Sequence, residues 1–123
     1  MYEIRSEMNF SAAHHLLNYD GPCENVHGHN WLVRATVRCR ELDEIGLGID
    51  FKFLKRGLKG VLDKLDHSDL NTLFTSAKGN PSSENIACYI HLELGKLLND
   101  GRVWVYRVDV FETPGNCASS FDE

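Results

Sequence analysis

The chain has 123 residues, of which 42 % are hydrophobic and 25 % charged, and its formal net charge is −5. This composition is typical of a single globular domain spanning residues 1–123 and excludes a mostly disordered chain. The negative charge argues against a nucleic-acid-binding protein, and no apolar stretch approaches the roughly 20 residues of a membrane span. Because the segment MYEIRSEMNF lacks the apolar core of a signal peptide, we expect a cytoplasmic protein.

Two alternating stretches open the chain. Residues 2–14 place apolar side chains on one parity, which predicts a half-buried strand with His14 facing inward. Residues 31–40 alternate again, and the inner parity, extended backward, includes His29 and His27. These two histidines would therefore lie on one side of a strand, at the entrance to its core face.

Two helices follow in the predicted order. Asp50 is a suitable N-cap for a helix whose apolar residues recur at three- and four-residue spacing as far as Leu65. After a polar connection, Asn80 and Pro81 predict the start of a second helix, with Asn80 as its cap and proline in its first turn. Gly101 lies where this helix would end.

The last elements complete an α+β pattern. Residues 102–112 predict a strand with Trp104, Tyr106, Val108 and Val110 on its inner face, and Glu112 shares their parity. The tail allows a short final strand at most. The order β-β-α-α-β-β predicts an antiparallel sheet of about four strands with two helices packed on one face. The other face would be available to other subunits.

Three histidines at strand ends suggest a metal site. His14, His27 and His29 would all face inward from two neighbouring strands. Three neutral imidazoles with an open fourth position are a usual ligand set of catalytic zinc, although imidazole also suits iron, copper and nickel. The alternative is a set of half-exposed histidines bonded to the backbone, and the convergence of all three favours the metal.

Four further residues could carry chemistry. Cys23, four residues before His27, could be a fourth ligand that closes a structural zinc site, a reactive thiolate, or an inert loop cysteine. Asp66 beside His67 could form a proton relay or simply follow a helix end. Glu112 requires either an internal Arg or Lys, or a ligand with two parallel N–H donors, such as a pterin or guanine edge.

Six blocks of the sequence resemble the 6-pyruvoyltetrahydropterin synthase / 6-carboxytetrahydropterin synthase family, in order and at similar spacings. They are FSAAHHL, CENVHGH, IDFKFLK, LDHSDLN, NPSSENIA and VFETP. The resemblance implies the tunnelling fold and one zinc ion per subunit, held by His14, His27 and His29. It also implies a homohexamer of two stacked trimers, with active sites where subunits meet.

The resemblance implies roles for individual residues. Cys23 matches the catalytic cysteine that moves protons on the substrate side chain, and Asp66 and His67 match the pair that completes the relay. Glu112 matches the glutamate that anchors the pterin ring. Further pterin contacts in the family match Ser82, Ser83 and Glu84.

The spacing Cys-x3-His-Gly-His resembles the bacterial carboxy-forming branch. That branch converts 7,8-dihydroneopterin triphosphate to 6-carboxytetrahydropterin, acetaldehyde and triphosphate, in queuosine and other 7-deazaguanine biosynthesis. A pyruvoyl-forming synthase and a non-catalytic metal- or pterin-binding module are the alternatives, and the intact relay residues count against the module. Where the family often has a second histidine after LDH, this chain has Ser68.

Overall fold

A computed structural model describes residues 1–17, 27–74 and 79–123, without the side chain of His27. The elements in chain order are β1 (Tyr2–His14), β2 (His27–Cys39), α1 (Phe51–Leu62), β3 (Ser68–Asp69), α2 (Leu70–Leu73), α3 (Ser83–Leu98), β4 (Val103–Thr113) and β5 (Asn116–Phe121). The α+β class is confirmed, with helices on one face of the sheet.

Among the residues described, the sheet has five strands in the order β3-β1-β2-β4-β5, one more than the expected count of about four. The additional strand, β3, is two residues long and pairs parallel to β1 at Ala12 and Ala13. It forms because the N–H of His67 donates to the Ser11 carbonyl at 2.5 Å, which holds the chain along the edge of β1. A two-residue strand has no alternation that a sequence pattern could detect.

The long hairpin of β1 and β2 carries the core and ends at the histidines. Its register pairs Tyr2 with Cys39 at one end and His14 with His27 at the other. Inner-face residues such as Phe10, Trp31 and Val33 are buried against the helices. The buried side chains contributed by α1 and α3 are Leu54, Leu58, Val61, Leu62, Ile86, Ala87, Ile90, Leu94 and Leu98.

The helix starts confirm one predicted cap and correct the other. Asp50 caps α1 by accepting the N–H of Lys52 at 2.8 Å. The cap of α3 is Ser82, which accepts the N–H of Asn85 at 3.1 Å, and not Asn80. The Asn80 amide instead bonds the backbone of Leu17, at 3.1 Å and 3.0 Å. In the part of the chain that the structure describes, no helix is long and apolar enough to cross a membrane.

A β-bulge in β4 changes which of its side chains face the core. Thr36 pairs with Arg107 but Val37 pairs with Val105, so one strand has an additional residue at this point. The prediction that Trp104 and Tyr106 face the core was therefore wrong, and Val103 and Val105 are buried instead. After the bulge the expected parity returns, with Val108 and Val110 buried. Glu112, two residues further, keeps the inward parity that the sequence predicted.

Candidate metal and substrate site

Two histidines and a carboxylate converge at the end of the β1–β2 hairpin. The Nε2 atom of His29 lies 2.7 Å from Oε1 of Glu112, and Nε2 of His14 lies 3.8 Å from the same oxygen. The three ligand atoms lie within 4.8 Å of one another. His14 is buried, whereas His29 and Glu112 are partly exposed. The cluster therefore lies at the margin of the core and is open on one side.

The tautomer of His14 is set by the backbone. Its Nδ1 atom lies 2.8 Å from the carbonyl oxygen of Pro81. A carbonyl can only accept, so Nδ1 carries the proton, and the neutral ring has its lone pair on Nε2. That lone pair faces Glu112 and His29. A backbone carbonyl that orients the ring in this way is a usual partner of a metal-bound histidine.

The donor set fits a divalent metal ion. Imidazole nitrogen and carboxylate oxygen are both zinc ligands, and bonds of 2.0–2.2 Å place the ligand atoms of a tetrahedral ion about 3.3 Å apart. The observed separations of 2.7 and 3.8 Å lie on either side of this value. Small side-chain rotations would therefore bring these atoms into a coordination sphere.

An indole ring lines the site. The ring of Trp31 lies edge-on to both histidines, with centroids 4.9 Å from His14 and 5.4 Å from His29. Trp31 is completely buried. It restricts the rotation of both imidazoles and excludes water from one side of the cluster, which lowers the local dielectric.

The start of α3 approaches the carboxylate of Glu112. The hydroxyl of Ser83 donates to Oε2 at 3.4 Å, while Oε1 faces the histidines. The pairing of β4 with β5 has an irregularity at this point, between Phe111 and Thr113. Of the other predicted pterin contacts, Ser82 is the cap of α3 and Glu84 is exposed in its first turn.

Asp66 and His67 form a pair at the edge of β1. His67 Nδ1 lies 3.0 Å from Oδ2 of Asp66, and Oδ1 of Asp66 accepts the N–H of Ser11 at 2.8 Å. The Ser11 N–H, followed by the contact with His67, lowers the pKa of Asp66 below its usual value of 3.8. Asp66 is therefore a carboxylate at neutral pH and can hold the imidazole in one orientation.

The backbone of His67 is unusual. Its φ is +55°, and among the residues that the structure describes no other non-glycine residue has a positive φ. Left-handed backbone at a non-glycine residue costs free energy and is concentrated at functional sites. It turns the chain so that the N–H of His67 reaches Ser11 while the imidazole stays 81 % exposed.

A shallow cleft lies beside His67 at this end of the hairpin, and one candidate metal ligand, His29, is also part of its lining. Its volume is about 440 Å³, and it is lined by Ser11, Ala12, Ala13, Gly28, His29, Asn30, His67 and Ser68. The candidate relay histidine and one candidate metal ligand thus both contribute atoms to the lining of one cleft. The cleft stays open because Ala13 has only a methyl group and Gly28 has no side chain.

The side chains of two predicted site residues, Cys23 and His27, lie outside the described part of the structure. Cys23 lies outside the described residues, and of His27 only the backbone is described, opposite His14 in the hairpin. The sequence interpretation missed the contributions of Pro81, Ser11 and Trp31. Only Trp31 left a signal, as an inward-facing aromatic residue two positions after His29, because the other two act through backbone atoms.

Comparisons with known proteins agree on one family. The 6-pyruvoyl tetrahydropterin synthase family profile matches residues 3–123. A 6-carboxy-5,6,7,8-tetrahydropterin synthase of Synechocystis sp. is 34 % identical over 126 residues, which cover 98 % of this chain and 94 % of the relative. One of Rickettsia bellii is 29 % identical over 135 residues, covering 95 % and 97 %.

A solved structure gives the same result. The structure of Caenorhabditis elegans 6-pyruvoyl tetrahydropterin synthase matches with a TM-score of 0.83 at 28 % identity, covering 99 % of this chain and 96 % of that chain. The fold is thus that of a pterin-synthase type of enzyme. The chain belongs to the 6-pyruvoyl tetrahydropterin synthase family.

Proposed function

We propose that this protein is a 6-carboxy-5,6,7,8-tetrahydropterin synthase. It would be a zinc-dependent lyase that converts 7,8-dihydroneopterin triphosphate to 6-carboxytetrahydropterin, releasing acetaldehyde and triphosphate, on the route to 7-deazaguanine compounds such as queuosine. The observation that carries the proposal is the cluster of His14, His29 and Glu112, which adjoins a cleft shared with His67. The carboxy-forming branch is favoured by the relatives of that name and by the spacing of Cys23, His27 and His29.

We assign the zinc to His14, His27 and His29. The orientation of His14 by Pro81 supports the first ligand, and the position of His29 beside Glu112 supports another. His27 is paired with His14 along the hairpin and is two residues from His29. Alternate residues of a strand share a face, which supports His27 as the remaining ligand. Bound zinc would act as a Lewis acid toward the side-chain oxygens of the substrate.

Proton transfer is assigned to Cys23, His67 and Asp66. His27 follows Cys23 by four positions, so the two Cα atoms are at most about 14 Å apart. A cysteine near a cation or an imidazole has a lowered pKa and can act as a base at neutral pH. His67, held by the ionised Asp66 at 3.0 Å, would exchange protons with it.

Substrate orientation is assigned to Glu112 and the start of α3. A carboxylate binds a pterin edge through two parallel N–H···O bonds, and this geometry fixes the ring as well as adding affinity. Ser83 already donates to one oxygen of Glu112 at 3.4 Å. Ser82 and Glu84 flank Ser83 at the helix start and are proposed as further pterin contacts.

The proposal includes a homohexamer in which residues 1–123 act as one domain. Within the described part of one chain, the outer edges of β3 and β5 have no strand beside them. Open sheet edges readily pair with further strands, so a ring of subunits would satisfy both edges. A cytoplasmic location is supported by Cys39, Cys88 and Cys117, which are free thiols, as is usual in a reducing compartment.

Product analysis by mass spectrometry tests the proposal. Zinc-loaded protein is incubated with 7,8-dihydroneopterin triphosphate, with the Cys23→Ala variant in parallel. We expect acetaldehyde and a 6-carboxypterin from the wild-type protein and at least about a 100-fold lower rate from the variant. A 6-pyruvoyl product without acetaldehyde would move the protein to the other branch of its family. Zinc and pterin binding without turnover would indicate a binding module.

A further inference from the structure

We propose that Glu112 has two alternative partners: the bound metal in the substrate-free enzyme, and the pterin ring once substrate is present. The inference rests on the proposed function, because it keeps Glu112 as the pterin anchor. It adds that the same carboxylate is a metal ligand before the substrate arrives. Metal and pterin would then compete for one side chain.

The position of the carboxylate supports the first state. Oε1 of Glu112 lies 2.7 Å from His29 Nε2 and 3.8 Å from His14 Nε2, so it points into the space between the two ligand nitrogens. His14 is fixed in the tautomer that presents its lone pair to this space. Two histidines and a glutamate are an established zinc ligand set.

The second oxygen of Glu112 is oriented from the other side. Ser83 Oγ donates to Oε2 at 3.4 Å, at the first residue of α3. A hydroxyl that bonds the second oxygen of a ligating carboxylate holds it in position, as supporting groups commonly do at metal centres. Ser83 would therefore favour the metal-facing orientation of Oε1.

The two states compete because each needs the carboxylate in a different orientation. A pterin edge with two parallel N–H donors approaches both oxygens in the plane of the carboxylate, whereas in the metal-bound state Oε1 points toward the ligand nitrogens of His14 and His29. Pterin binding would therefore withdraw a ligand from the metal and open a coordination position for the substrate side chain. By linkage, the factor by which pterin weakens zinc binding equals the factor by which zinc weakens pterin binding.

Zinc affinity without any pterin tests the ligand role. Chelator competition is measured for the wild type, for Glu112→Gln, and for Glu44→Gln, which removes the same charge from an exposed turn. We expect Glu112→Gln to weaken zinc binding about 10- to 100-fold and Glu44→Gln to leave it unchanged. If Glu112→Gln does not fold by circular dichroism, Glu112→Asp is used, since it retracts the carboxylate by one methylene and should weaken zinc binding in the same direction. Wild-type affinity in the folded variant would overturn the inference.

Coupling to pterin tests the exchange. Zinc affinity of the wild type is measured with saturating pterin that lacks a side chain, and with neopterin, whose hydroxyls can replace the lost ligand. We expect weaker zinc binding with the bare pterin and a smaller effect with neopterin. If both pterins bind and zinc affinity does not change, the inference fails while the proposed anchor stands. If neither pterin binds the zinc-loaded or zinc-free protein, the exchange and the proposed function both fail.

Discussion

Two histidines in this protein, His91 and His14, are held in different ways. His91, on α3, is 13 % exposed, and both of its ring nitrogens are bonded within the fold: Nδ1 to Ser120 Oγ at 2.8 Å and Nε2 to the Val105 carbonyl at 3.0 Å. Asp122 lies 3.3 Å from Nε2. His14 is bonded to the backbone through Nδ1, and its Nε2 faces a second histidine and a carboxylate.

The difference shows how a structural histidine is distinguished from a candidate ligand. Val105 can only accept, so Nε2 of His91 carries a proton, and Nδ1 accepts from Ser120 when the ring is neutral. Neither ring nitrogen of His91 therefore directs a lone pair toward a group of metal-ligand atoms. His14 has the opposite arrangement, because the backbone binds the N–H and leaves the lone pair facing the cluster.

The largest expected effect comes from making the same substitution, histidine to alanine, in each of the two regions. His29→Ala should reduce bound zinc to less than about a tenth of an equivalent and abolish turnover, because it removes a ligand. His91→Ala should retain a full equivalent in the folded protein, since it touches none of the cluster. Zinc content by inductively coupled plasma mass spectrometry distinguishes the two. Equal zinc loss in both variants would contradict the assignment of His91 to the fold.

A third environment, that of His67, predicts a loss of rate without a loss of metal. We expect His67→Asn to lower kcat about 10²- to 10⁴-fold with zinc content unchanged, because it removes a proton carrier and no ligand. Asparagine is the suitable replacement because it tolerates the positive φ of this position. A parallel loss of zinc would show that the substitution disturbs the cluster instead.

The effect of Asp66 on kcat should be nearly independent of pH over the neutral range. Its pKa is lowered by the N–H of Ser11, so the carboxylate is ionised throughout the neutral range. Asp66→Asn should therefore lower kcat by a nearly constant factor between about pH 6 and 9, measured as a pH–rate profile. The stabilisation that this carboxylate gives the fold is present above the unfolded pKa and is lost as the pH falls through the lower folded value.

Local patterns predicted much of the site, and non-local contacts account for the rest. Strand alternation was sufficient to place His14 on the inner face and Glu112 at the end of β4, since side-chain direction in a strand has a period of two residues. The orientation of His14 by Pro81 joins residues 67 positions apart. A backbone carbonyl has no residue signature, so no motif could have indicated that contact.

The same distinction explains the errors in the fold. The shift at Tyr106 depends on how β4 pairs with β2, and the short strand β3 depends on a bond between His67 and Ser11. Neither is visible in the local sequence of the strand concerned. Asn80 is a good cap by residue type, but its amide is used by Leu17, and the helix begins at the next hydroxyl residue instead.

A smaller effect, on the stability of the fold, is expected when His91 is replaced. His91→Ala removes bonds that join α3 to β4 and β5 and leaves the Val105 carbonyl and the Ser120 hydroxyl without this partner. Burying such groups unpaired, together with the lost packing, should lower the free energy of unfolding by about 2–3 kcal/mol. Urea denaturation measures this change in the free energy of unfolding. The zinc-free protein is used because bound metal would add to the stability of the fold. A change below about 0.5 kcal/mol would mean that the histidine is not a structural link.

The smallest effect is expected from Ser120→Ala. This variant removes the hydroxyl from Nδ1 of His91 but keeps the Val105 bond and the contact with Asp122. A single half-buried hydrogen bond contributes about 1 kcal/mol, so the loss should be less than half of that in His91→Ala. In the double variant the two losses should not add, because both remove the same bond. Additive losses in this double-mutant cycle would show that Ser120 stabilises β5 independently of His91, and the histidine would then be linked to the fold through its Nε2 atom.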